Sequence, residues 1–421
     1  MLRRAVLRMA LRWRPADAGA DVLTRLPDAT LDALRRDGMD PRLDGSAGPV
    51  RRVALPWGFR GWLVTGYDEA RSVLADHDSY SNDFGNLVGR RRASAASDPG
   101  GLGFADPPQH TRLRRMLTPQ FTARRLRALE PAVARIVDDA VGTVERRLAD
   151  GGTVDLVEHF ALPVPSLTIC ELLGVPYAER DQFQRLSRAR FDVSGGGAES
   201  LSVVAESLDY LEDLVARRRR EPAAGLIGGL LAEHGSELTD RELAGVADGL
   251  LTGGLETTAS TLALGVVVLL RTPEDRAGLT SDPAFVAPYL EDLLRYLTVV
   301  QVAFPRFARH DLELAGMRVR RGDVVLCSLS VADRDPRVGS SPHRVEPAAN
   351  RSPHLAFGHG IHRCVGAELA RLELRLALPE LFRRIPDLQL SGPESDLEYR
   401  PLSLVYGLAA LPVHSPSVLN V

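Results

Sequence analysis

The segment from Ala244 to Leu270 holds no proline and few polar side chains, and at 1.5 Å per residue it makes a helix about 40 Å long. An element of that length crosses a whole domain, so the other elements have to pack around it. Asp248 and Glu256 interrupt the apolar run, which argues against a membrane span. Its middle reads Gly253-Gly254-Leu255-Glu256-Thr257-Thr258, where adjacent helix-weakening glycines stand beside an acid and a hydroxyl. Read alone, this is either a glycine packing point with an exposed glutamate or a gap made for a ligand.

Helical periodicity recurs over roughly 67–76, 109–117, 122–149, 164–174, 200–220, 240–270, 285–297 and 366–384, and short strand-like runs lie at 312–319, 323–326 and 387–390. Val53 to Thr65 reads as a short hairpin around Gly58 and Gly61. The expected fold is mainly α with small β-sheets. No Pro/Ser-rich break divides residues 31–421, so one large domain is expected there. Residues 1–30 read as an arginine-rich, disordered leader, since the first fourteen carry five arginines and no acid. A surface-lying amphipathic helix is the alternative, and no cleavage site marks a secretory signal. The glycine-rich stretches Phe84 to Gly103 and Ser194 to Ala198 are candidate lids.

Composition excludes whole mechanisms. The chain has no lysine, so all 52 basic residues are arginine. Schiff-base chemistry and the phosphate-binding Gly-Lys-Ser/Thr loop both need that amine. A net charge of −3 shows no bias toward nucleic acid. Cys170, Cys327 and Cys364 are widely spaced, without a CxxC pair, as expected of reduced thiols in a cytoplasm.

Of the three, Cys364 stands apart. It sits in Phe357-Gly-His-Gly-Ile-His-Arg-Cys-Val-Gly-Ala367, a glycine-rich turn opening directly into an apolar-periodic helix. Glycines at 358, 360 and 366 let the backbone approach a flat ligand. The N–H groups at the helix mouth should lower the thiol pKa and favour a thiolate, which is a metal ligand or a nucleophile. A buried structural cysteine is the other reading.

Taken together, the Phe357-Gly-x-Gly-x-His-x-Cys-x-Gly and Gly253-Gly-x-Glu-Thr runs resemble the cytochrome P-450 haem-thiolate monooxygenases, soluble bacterial class, across roughly residues 45 to 410. The resemblance implies haem b, with Cys364 as the axial iron ligand. It also implies that Phe357 and Gly358 belong to the haem-binding turn. His110 and Arg114, at i and i+4 in Asp106-Pro-Pro-Gln-His-Thr-Arg-Leu-Arg, would hold the haem propionates together with Arg306 and His362. The long helix would cross the distal face, widened at Gly253 and Gly254. Thr257 would be the hydrogen-bonding group at the dioxygen site and Glu256 the proton relay.

Two departures from the family pattern stand out. The usual Glu-x-x-Arg is replaced by Asp292-Leu-Leu-Arg295, and Asp292 is expected to pair with Arg295 and Arg344, with Glu291 as a possible substitute. Arg363 stands beside the cysteine where an apolar residue is frequent. With Arg112, Arg115 and Arg124 it makes a basic patch suited to an acidic ferredoxin.

The resemblance thus implies a monooxygenase that uses O₂ and two electrons, from ferredoxin and ferredoxin reductase, to hydroxylate a hydrophobic secondary-metabolite substrate. Nucleic acid and a transmembrane anchor are not expected. The pocket would be lined from the Phe84 to Gly103 loop, the 190s loop, Leu250, Val299 to Phe304 and Leu402 to Val405, mostly apolar positions. Oxidative cyclisation or aryl coupling by the same haem is the alternative. A more distant one is a non-enzymatic haem or metal sensor, in which His359, His362 and Cys364 bind the metal.

Overall fold

The computed structural model describes residues 48–55, 60–83, 102–150, 152–180, 197–339, 341–347, 353–400 and 405–416. The 1–30 leader, most of the Phe84 to Gly103 loop, the 190s loop and residues 402–404 lie outside them.

The long central segment is one helix, Asp240–Arg271, here α7. Its start is fixed by a capping box: Thr239 accepts the Glu242 N–H, and Glu242 reaches back to the Thr239 N–H. Its 32 residues run about 48 Å, and it is long and apolar enough to cross a membrane. Most of that apolar stretch is instead buried inside the protein. Against it pack α4 (Pro163–Leu173), α5 (Gly197–Arg220), α9 (Pro283–Leu297) and α10 (Ala367–Arg384), while α3 (Ala123–Ala149) packs on α4 and α10. Their apolar faces merge into one continuous core.

A five-stranded sheet lies outside this bundle in the order β1-β2-β8-β5-β3: Val50–Ala54, Arg60–Val64, Val324–Cys327, Arg306–Ala308 and Tyr80–Ser81. The hairpin expected at Val53 to Thr65 is β1 with β2, antiparallel in register Val50↔Val64. β2 also pairs in parallel with β8, Gly61↔Val324. Trp62 Nε1 donates to Asp323 Oδ2 at 2.9 Å alongside, closing 261 residues of chain. The run at 312–319 resolves into the hairpin β6 (Leu312–Leu314) and β7 (Met317–Val319). That at 387–390 becomes β9, Gln389–Leu390, which joins β10, Pro412–His414, and β4, Val154–Asp155.

Two longer helices, and the four-residue helix Leu329–Ala332, carried no sequence signal of their own. Leu226–His234 (α6) contains paired glycines that weaken its helical pattern. Pro273–Ser281 (α8) is mostly polar, and its proline begins the helix. The described helices otherwise follow the sequence periodicity to within a few residues, including α1 (Tyr67–Ala75) and α2 (Gln109–Leu117).

Candidate functional site

The Cys364 turn is shaped by its glycines. Gly360 has φ +72°, and a Cβ there would lie 2.2 Å from the Leu74 carbonyl oxygen at the end of α1. Gly358 has φ +68° and faces open space. Both conformations favour glycine. The turn closes through the Cys364 N–H, which donates to the Phe357 carbonyl at 2.9 Å. Cys364 keeps exposed surface although protein atoms crowd around it, so its sulfur lines a recess.

The thiol pKa is not lowered as the helix mouth suggested. Burial raises it, and the Gly366 N–H with the charges of Arg114, Arg363 and Arg371 counter this only in part. A bound cation is what turns such a thiol into a thiolate.

Donors expected to bind carboxylates gather beside it. His110, on α2, is buried and neither ring nitrogen has a hydrogen-bond partner. Its ring lies 4.3 Å from that of His362, centroid to centroid. Burial, then the charges of His110 and Arg306, hold the His362 pKa down to about 3. Arg306, on β5, is buried; it donates to the Asn82 side chain and, at 2.8 Å, to the Phe304 carbonyl. Arg114 is half-buried and feels both Cys364 and Arg363. Burial lowers the pKa of both guanidinium groups, opposed in part by Cys364 at Arg114 and by Cys327 and Asp106 at Arg306.

Asp106 organises the approach to this cluster. It accepts from the Ser81 hydroxyl and from the Asn82 N–H at 2.8 Å, and it pairs with Arg309 at 2.8 Å. No local pattern announces this web, because its members come from three separate segments.

The central helix α7 runs through Gly253 and Gly254 without interruption. The two glycines differ. A Cβ on Gly253 would meet nothing within 4 Å, whereas one on Gly254 would strike Ile169 at 2.8 Å. Gly254 is therefore a packing point, and only Gly253 borders open space; the helix itself shows no widening at either position. Thr257, half-buried, donates to the Gly253 carbonyl at 2.6 Å. Glu256 points elsewhere, about 100° round the helix from its neighbour. It pairs with Arg400 at 2.7 Å, and Arg400 also donates to Ser260, one turn on, at 2.6 Å.

The family model for cytochrome P450 matches residues 48–221 and 286–388. The chain belongs to the cytochrome P450 family. This P450 is 38% identical over 396 residues to cytochrome P450 165B3 of Amycolatopsis orientalis, covering 90% of its own chain and 97% of that relative. It is 40% identical over 370 residues to the monooxygenase PikC of Streptomyces venezuelae, covering 87% and 88%. Among solved structures it resembles OxyC, a P450 implicated in oxidative C–C coupling during vancomycin biosynthesis. The TM-score there is 0.81 at 36% identity, over 90% of this chain and 95% of that one. The P450 is an oxidoreductase, and its cofactor is the family's thiolate-ligated haem. The orphaned His110 nitrogens, the desolvated Arg114 and Arg306, and the exposed cysteine suit an iron porphyrin with two carboxylates.

The structure also corrects the bracing of the turn. Asp292 pairs with Arg295 at 2.5 Å, both buried, and accepts the Glu346 N–H at 2.6 Å. Arg344 contributes its carbonyl, which accepts from Arg295 at 2.7 Å, while its own side chain is 74% exposed. Glu291 does not substitute for Asp292; it faces Arg371 and His354 instead. The proposed basic patch loses Arg112, which is tied to Glu242 and the Glu237 carbonyl. Arg115, Arg124 and Arg363 remain exposed. For the metal-sensor alternative, His359, His362 and Cys364 do not form a three-ligand cluster, and no other group of three His, Cys, Asp or Glu among the described residues does so.

Proposed function

We propose that this P450 hydroxylates a hydrophobic secondary-metabolite substrate, with Cys364 as the iron ligand and His110, Arg114, Arg306 and His362 holding the haem carboxylates. The observation that carries the reading is the convergence of these four donors, two of them desolvated cations, beside one exposed cysteine. Haem bound there supplies activation of dioxygen and oxidation of a C–H bond. Two electrons come from a ferredoxin and its reductase, which Arg115, Arg124 and Arg363 would attract. The cytoplasm is the compartment that suits such donors.

The chain's own residues handle the protons. Thr257, whose hydroxyl donates to the Gly253 carbonyl, would be the hydrogen-bonding group at the dioxygen site once haem is bound. Glu256 supplies the proton once it leaves Arg400. Leu250, Val299 to Phe304 and Val405 offer a largely apolar wall to the substrate. Oxidative coupling remains the second reading, favoured by the likeness to OxyC.

Reduced protein under carbon monoxide should show the red-shifted Soret band of a thiolate-bound haem, and Cys364→Ser should abolish it; an unchanged band in that variant would overturn the ligand assignment. Turnover under isotopic dioxygen then separates the chemistries, since hydroxylation leaves labelled oxygen in the product and coupling does not.

A further inference from the structure

Glu291 precedes the buried Asp292 in sequence, yet its carboxylate serves a different structure. Arg371, on α10, donates to it through Nε and, at 2.9 Å, through Nη2. Arg371 Nη1 donates to Glu368 at 2.8 Å, and His354 Nε2 stands 3.2 Å from Glu291 on its other side. Burial works to raise the Glu291 pKa, but hydrogen bonds from Arg371 and His354 overcome it and hold it at about 2. The guanidinium so pinned lies over the Phe357 ring, 4.7 Å from its centroid. Phe357 is also the residue whose carbonyl receives the Cys364 N–H. The stacked ring and the cysteine backbone are therefore parts of one closed turn. Arg371 is also one of three arginines whose charge is felt at the sulfur. Arg363 is exposed, whereas the Arg371 side chain is only 22% exposed, so solvent screens it less.

We propose that Arg371, pinned over Phe357 by Glu291 and Glu368, is a positioning residue that fixes the cysteine turn and sets the reduction potential of the iron bound there. The inference rests on the assignment of Cys364 as the iron ligand. One-electron reduction by an external donor takes ferric iron to ferrous and adds one negative charge to the centre, with no bond made or broken at the sulfur. A fixed cation nearby favours that step, and a fixed anion opposes it. Arg371 stacks on the turn itself and its charge reaches the sulfur, so its presence favours reduction.

The signs separate charge from mere support. Equilibrium titration of the haem-loaded protein with dithionite and mediator dyes should show Arg371→Leu shifted toward the ferric form. A tenfold change in the reduction equilibrium corresponds to about 59 mV for one electron, and a shift of that order is expected. Glu291→Gln should move the potential the other way, and Arg371→Lys should restore most of the wild-type value. An unchanged potential in Arg371→Leu, or shifts of the same sign in the leucine and glutamine variants, would overturn the proposal. If Arg371→Leu fails to take up haem, Glu291→Gln and Arg371→Lys still decide the sign. A wild type lacking the thiolate band under carbon monoxide brings down the ligand assignment and this inference with it; the band present with unmoved potentials brings down this inference alone.

Discussion

The side chains that distinguish this P450 are those that answer a missing partner. Asp292 is a methylene shorter than the glutamate the family pattern led one to expect, and the fold absorbs the difference by drawing on backbone groups. Arg295 reaches the carbonyls of Pro342 and Arg344, at 3.0 and 2.7 Å, while the Glu346 N–H caps Asp292. Asp292→Ala leaves Arg295 buried without its counter-charge, a loss of about 3–5 kcal/mol. A fall in the urea midpoint and in haem loading checks it; Glu291→Ala, at a half-exposed site, should cost much less stability. The acid and its arginine were legible as a spacing of three. Which groups complete the network was not, because main-chain donors and acceptors leave no trace in residue identity.

Among the elements, α10 carries both the cysteine turn at its mouth and a buried acid further along. Glu373 is almost fully enclosed, and burial raises its pKa to about 8, with nearby Thr168 on α4 opposing in part. The unfolded chain releases this proton near the usual 4.5, whereas the folded protein keeps it to about 8. Stability from the protonated form is thus complete below the lower value and declines as pH rises between the two, by about 1.4 kcal/mol per pH unit. Glu373→Gln should flatten that slope in thermal unfolding followed across the same window. Periodicity revealed that α10 exists and which face is apolar. It could not assign Glu373 to the core, since a glutamate in a helix is more often a solvated residue.

The whole molecule is tied together where its C-terminal part returns to α7. Tyr399 pairs with Leu408, and the Arg400 N–H donates to the Gly407 carbonyl at 2.9 Å. This carries the Arg400 side chain onto Glu256 and Ser260. Gly407 leaves the necessary room, for a Cβ there would lie 2.4 Å from both Arg400 Nη2 and Ser260 Oγ. Gly407→Ala should therefore disturb the tie at about 1–3 kcal/mol, the usual cost of overpacking. Faster hydrogen exchange across residues 405–416 is the readout, and unaltered exchange would show that the tie holds without that space. The sequence by itself determined the helical bundle, the long central helix and the glycine-rich cysteine turn, because periodicity, glycine placement and local motifs are short-range properties of the chain. Only the tertiary structure decided that Glu256 rests on Arg400, that Glu291 serves Arg371, and that His110 and His362 meet ring to ring. Charge pairs and ring contacts form between residues brought together from distant parts of the chain, and no local pattern encodes which of several arginines will arrive.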